Sequence, residues 1–165
     1  MSSQRLKVVG IEAAMAAEEG DFEVASTNVR EYVPEGQYDL VFESFKTSMM
    51  SFPGSPPVPK LEIAFQIADP SKFAGVLVSR FYNVKDLKFP IGEQGKFSVN
   101  PNGDFVKEFF KLFPESHTRL DRLAMSRFKG EIIVGRVVTV NGPPGNQWPE
   151  ISWYSRIEKL ERIKG

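Results

Sequence analysis

The run from Phe128 to Val140, Phe-Lys-Gly-Glu-Ile-Ile-Val-Gly-Arg-Val-Val-Thr-Val, constrains the fold more than any other stretch. It is the densest β-branched segment of the chain, and such side chains fit a pleated, packed surface. A chain carrying it needs a sheet in which to bury it. Three extended stretches and one helix-like segment come before it, and a last aromatic strand, Ser152 to Ile163, follows.

Taken in order, Pro34-Glu35-Gly36 is a turn signal that opens the first strand. Tyr38, Leu40 and Phe42 then alternate with Asp39 and Glu43, Phe45 breaks the alternation as a bulge would, and the strand is expected to end near Lys46. Residues 47–59 hold four prolines and read as a loop, because proline cannot join a central ladder. Met49, Met50 and Phe52 within it either tuck over an open end of the sheet or form a contact loop. Leu61, Ile63, Phe65 and Ile67 alternate with Glu62, Ala64, Gln66 and Ala68 as a half-buried strand. The third strand spans 76–84, with Leu77, Ser79, Phe81 and Asn83 on one face and Val78, Arg80, Tyr82 and Val84 on the other.

Residues 85–103 read as a glycine-punctuated loop. Asn102 or Asp104 caps a helix whose apolar stripe is Phe105, Phe109, Leu112 and Phe113, and Pro114 stops it. Residues 119–125 add a second turn with Leu120 and Leu123 inward. After the β-branched run, Gly-Pro-Pro-Gly at 142–145 turns the chain into the strand that begins at Trp153, with Leu160 and Ile163 completing the packing. Residues 1–32 carry a short apolar pulse, Leu6 to Ile11, and an Ala-rich acidic stretch without an apolar stripe. The expected organisation is a partly ordered, peripheral N-terminal arm over 1–32 and one domain over 33–165. The order of three strands, a helix and two strands predicts a mainly β chain folded as a small OB-like β-barrel.

The residue inventory excludes several chemistries. With no cysteine there is no disulfide, no Cys-ligated zinc and no cysteine nucleophile. His117 is the only histidine, which removes histidine-cluster metal sites. Phosphate-loop, dinucleotide and nucleophile-elbow signatures are missing. The one acidic cluster, Glu18, Glu19, Asp21 and Glu23, reads as a solvated charge run. These features predict a protein that is not an enzyme and needs no cofactor or metal. No apolar run approaches the roughly 20 residues of a membrane span, and no signal-peptide core is visible. A cytoplasmic location is the expectation.

Lys/Arg and Asp/Glu number 21 each, but residues 1–60 hold 5 against 9 and residues 61–165 hold 16 against 12. The C-terminal part can therefore present a locally basic face. Basic and aromatic residues interleave there: Arg80 and Tyr82 on one strand face, Lys85, Lys88, Lys96 and Phe97 in the next loop, Arg127, Lys129 and Arg136 around the β-branched run, and Trp153 at the last strand. Binders of single strands need both kinds, cations for phosphates and flat rings for bases.

Several segments occur together in a fixed order: Val33 to Tyr38, Lys60 to Phe65, Arg80-Phe81-Tyr82-Asn83-Val84, Lys96-Phe97, Phe128-Lys129-Gly130, and Trp148-Pro149-Glu150 followed by Tyr154-Ser155-Arg156-Ile157. In these the chain resembles a group of uncharacterised proteins from phages, prophages and plasmids, and its layout is similar to phage OB-fold proteins of the single-stranded-DNA-binding type. The resemblance covers residues 33–163. It implies a role in replication, recombination or maintenance of a phage or mobile element, with single-stranded DNA, or RNA in its place, as the partner. The alternative expectation is a protein-interaction module of such an element, an accessory factor or inhibitor of a host system that docks through the 47–59 loop. Unpaired strand edges would also allow a homodimer.

Overall fold

The computed structural model describes residues 32–116, 119–120, 123–143 and 145–165. The expected N-terminal arm, Tyr32 excepted, and His117 lie outside the described residues. The described chain is mainly β. Its strands are β1 (Gly36–Met50), β2 (Val58–Ile67), β3 (Leu77–Asn83), β4 (Asp86–Lys88), β5 (Lys96–Ser98), β6 (Ile132–Val140) and β7 (Tyr154–Ile163), with one α-helix, α1 (Asp104–Leu112), between β5 and β6.

Five strands close into a hydrogen-bonded ring in the order β1-β2-β3-β7-β6, while β4 and β5 form a separate hairpin. All pairings in the ring are antiparallel except β3 with β7, which run parallel and share one register pair, Arg80 with Ile157. The expected alternation in β2 holds: Leu61, Ile63, Phe65 and Ile67 are buried. They meet Leu40, Val78, Ile133, Val137, Ile157 and Leu160 in the ring's interior. Burying each such side chain contributes roughly 1.5–3 kcal/mol, which is why period-two patterning dictates the inward face here.

The expected bulge in β1 is present between Phe42 and Ser44, but the strand continues past it to Met50. The 47–59 segment is therefore strand at both ends, over 47–50 and 58–59. Thr47 pairs with Leu61 and is buried, Met49 pairs with Pro59, and only residues 51–57 remain as the connection. Pro59 is tolerated at the start of β2, where its carbonyl still accepts from Val84 N at 3.3 Å.

The helix closes one end of the ring. Phe105, Phe109 and Phe113 line up with Phe128 in a chain of ring contacts 5.1–5.9 Å apart, and Phe128 meets Phe65 edge-on at 6.3 Å. The predicted apolar stripe is the buried one. The cap differs from expectation: Gly103 occupies the N-cap with no side-chain bond, and Asp104 is the first helical residue, where its charge complements the helix dipole. The segment after the helix also differs. Its regular turn lies at Met125–Phe128, and Phe128 belongs to that turn while β6 itself begins at Ile132. Phe128 is drawn out of the strand because it completes the aromatic stack under the ring.

Candidate nucleic-acid interface

Ten side chains are the sequence candidates for contacts to a strand; the fold gathers six of them in two places and scatters the other four. Arg80 and Tyr82 lie inside the ring. They follow the inward phase of Val78, and only 7% of Arg80 and 2% of Tyr82 is exposed. Glu108, on α1, answers both. Its Oε2 accepts from Arg80 Nη2 at 2.5 Å, and its Oε1 accepts from Arg80 Nε at 3.2 Å, from the Tyr82 hydroxyl at 2.7 Å and from Leu160 N at 3.1 Å. Arg80 also donates to Phe81 O at 2.9 Å and stacks 4.3 Å over the Tyr82 ring. Burial pushes the Tyr82 phenol well above its usual value, and the Glu108 charge adds to that shift. Burial disfavours the Arg80 charge most, yet the Glu108 hydrogen bond together with the charges of Tyr82, Glu108 and Asp104 outweighs it, and the net shift is upward. Arg80 and Tyr82 are thus not available to a phosphate or a base. They hold the helix to the β3–β7 seam, where the ladder has a single pair and Glu108 supplies an acceptor to the β7 backbone.

The second place is the β4–β5 hairpin. Residues 85–103, read from sequence as a flexible loop, are anchored along β1 past its bulge. There β6 has already parted from β1 after Val41, and the segment 92–94 takes over the free edge. Thr47 N donates to Gly92 O at 2.9 Å, Gln94 N donates to Phe45 O at 3.0 Å, and the backbones of Lys46 and Glu93 pair as an isolated antiparallel β-bridge. Gly95 makes this docking possible, since a Cβ there would sit 2.1 Å from Thr47 Oγ1 and 2.9 Å from the Gly92 and Pro90 carbonyls. In the hairpin, Lys88 pairs directly with Lys96 and Leu87 with Phe97. Leu87 and Phe97 pack against the core, Phe97 meeting the Phe105 ring edge-on at 5.7 Å. Lys85, Lys88 and Lys96 are exposed. Phe97 is thus largely a packing residue, and the ring presented at the hairpin tip is Phe89, 86% exposed. Beside this hairpin lies a groove of about 510 Å³, with Phe45, Leu120, Leu123 and Met125 among its apolar walls and Lys88, Lys96, Gln94 and Ser98 among its polar ones.

The remaining candidates are scattered. Arg127 donates to the Glu115 carboxylate and the Ser116 hydroxyl and lies 4.7 Å over the Phe113 ring, so it braces the post-helix turn. Lys129 is exposed beside it. Arg136 is on the outer face of β6, 3.6 Å from Glu161 across the β6–β7 ladder. Trp153 leads into β7, and its Nε1 donates to Trp148 O at 2.9 Å within the 141–153 connection. The structure therefore brings together Lys85, Lys88, Lys96 and, at its edge, Phe97. It does not bring Arg80, Tyr82, Arg127, Arg136 or Trp153 to that surface.

Sequence reasoning missed Phe89 and also Phe81, a half-exposed ring on the outer face of β3, opposite Glu62. Around Phe81 lie Lys60, opposite Asn83, and Lys46, which pairs with Glu62 at 3.7 Å. The signal for Phe81 was available: it falls on the opposite phase to Val78, Arg80 and Tyr82. Among the described residues no group of three or more His, Asp or Glu side chains is arranged to hold a metal ion, and no helix is long and apolar enough to cross a membrane. No protein-family model, curated protein or solved structure matches the chain.

Proposed function

We propose that this chain is a non-catalytic binder of single-stranded nucleic acid, built as an OB-like barrel and serving replication, recombination or maintenance of a phage or mobile element. The observation that carries the reading is the ring order β1-β2-β3-β7-β6, with the helix between β3 and β6 and the seam between β3 and β7 parallel. That is the strand order of the five-stranded OB architecture, which takes oligonucleotides across its second and third strands and the adjoining loops. On this chain that face carries Phe81 and Lys60, with Lys46 beside them on β1, and the hairpin segment docked along β1 adds the exposed Lys85, Lys88, Lys96 and Phe89. The lysines neutralise phosphates and release counterions, and the two exposed rings stack on bases whatever their sequence.

The test is fluorescence anisotropy of a labelled oligo-dT of about 30 nucleotides, a length spanning more than one OB-fold site, at low and at roughly physiological salt. Submicromolar binding that weakens steeply with salt is expected, and Phe89→Ala should cost about 1–3 kcal/mol of affinity, the worth of one stacked base. Phe89 supports nothing in the core, so the variant should melt like the parent. No binding at low salt, or affinity indifferent to salt, would overturn the reading.

A second reading has its own observation. The end of β1 and the connection after it expose Met49 (49%) and Phe52 (50%), an apolar surface of the kind that seats a protein partner. Shortening the 51–57 connection, which leaves both strands intact, should abolish capture of a host protein if that reading holds and leave oligo-dT affinity nearly unchanged if it does not.

A further inference from the structure

We infer that the groove beside the β4–β5 hairpin seats one nucleotide of a bound single strand, with Lys88 and Lys96 straddling its phosphate. The inference rests on the strand-binding reading above and deepens it by assigning a specific subsite. Lys88 and Lys96 are directly opposite each other in the hairpin, so their side chains leave the same face. Like charges directly opposite each other destabilise a two-stranded ladder, and this one has only three pairs. Among the described residues no carboxylate lies within ion-pairing distance of either lysine, although other lysines and arginines do form ion pairs. Asp86, on the same hairpin face, is not among the pairs. An anion between the two ammonium groups would convert the repulsion into a clamp.

The groove supplies the rest of a nucleotide's requirements. At about 510 Å³ it falls within the range of about 300–1,000 Å³ usual for small-ligand sites. Leu120, Leu123 and Met125 offer an apolar wall for the flat face of a base, while Gln94 and Ser98 offer donors and acceptors to its edge. A cationic rim over an apolar floor fits a phosphate attached to a base better than it fits a free inorganic anion, which has no use for the floor.

The experiment compares the full-length chain with Lys88→Gln/Lys96→Gln, with Leu120→Ser, and with Lys107→Gln/Lys111→Gln, the last removing two exposed charges from α1. Each is titrated into labelled oligo-dT across a salt series. The hairpin pair should lose affinity several-fold and flatten the slope of log affinity against log salt by about 0.7, the contribution of one phosphate on a single strand. Leu120→Ser should weaken binding and leave the slope unchanged. The helix pair should change neither. If the parent binds and the hairpin pair keeps its affinity and slope, the subsite is wrong and the strand-binding reading stands. Equal losses in the hairpin and helix pairs would reduce the lysines to unspecific charge and overturn the subsite too. A parent that binds nothing removes both.

Discussion

Removing the Glu108 carboxylate should destabilise this fold more than any surface charge change. The carboxylate accepts four hydrogen bonds, two from Arg80, one from the Tyr82 hydroxyl and one from Leu160 N. Its side chain is 12% exposed and that of Arg80 9%, so water cannot replace it on either side. Glu108→Ala leaves a buried guanidinium without its counter-charge, which costs about 3–5 kcal/mol where such pairs have been broken. The total stability of a domain is only about 5–15 kcal/mol, so the variant should be close to unfolding. For a chain of this size each kcal/mol moves the melting temperature by about 2–4 °C, giving a drop of roughly 6–20 °C.

The assay is urea and thermal unfolding followed by circular dichroism and tryptophan fluorescence. A second variant separates charge from packing. Arg80→Met/Glu108→Gln removes both charges, keeps an acceptor for Tyr82 and Leu160, and preserves the volume at both positions. It should be more stable than Glu108→Ala by at least about 1 kcal/mol, a non-additivity expected of residues in one network. The reasoning fails if Glu108→Ala costs less than about 1 kcal/mol, the range of an exposed pair, or if the double variant is no better than the single one.

Two further outcomes follow from the same geometry. The Tyr82 phenol is raised in the folded state, first by burial and then by the Glu108 charge, so above the ordinary tyrosine value the unfolded chain loses a proton that the folded chain keeps. The stability is then fully present below about pH 10 and falls as pH rises above it; Tyr82→Phe should flatten that fall in urea midpoints measured from neutral to alkaline pH, while Tyr38, which is also raised, keeps a slope of its own. Gly95→Ala should dislodge the 92–94 segment from β1, because a Cβ would stand 2.1 Å from Thr47 Oγ1 and 2.9 Å from two carbonyls. Hydrogen exchange should then accelerate at Thr47 and Gln94, with β2 and β6 protected as before, and unchanged exchange at Thr47 would refute the docking role.

Much of the ring was legible from period-two alternation alone. Leu61 to Ile67 and the faces of β3 needed only the rule that alternate residues point the same way. The order of strands and helix was equally readable, because Pro, Gly and the β-branched run mark the elements locally. What was not legible depended on pairing between distant segments. The proline count of residues 47–59 argued for a loop, yet Thr47 to Met50 are held in β1 by partners in β2 and by Gly92. Residues 85–103 look flexible for their glycines, yet Gly95 is there to let a hairpin lie against β1. Phe89 and Phe97 both follow a lysine, and only the register of Leu87 with Phe97 decides which ring is buried.

The misplacement of Arg80 and Tyr82 is of a different kind, since the signals that correct it were local. Arg80 shares its phase with Val78, Tyr82 and Val84, all of them buried, so the alternation already pointed it inward. An arginine inside a sheet must have an anionic partner, because an isolated buried charge is too costly to persist. The helix shows the complementary anomaly: Glu108 falls among Phe105, Phe109 and Leu112, one residue from the centre of the apolar stripe. A carboxylate on the buried face of a helix needs a cation just as an arginine on the buried face of a strand needs an anion. The two irregularities, 28 positions apart in the chain, answer each other at 2.5 Å. Charges that violate the pattern of their own element are therefore better read as partners within the core than as contacts for a ligand, and the binding residues are to be sought among those that keep to the outward phase, as Phe81 does.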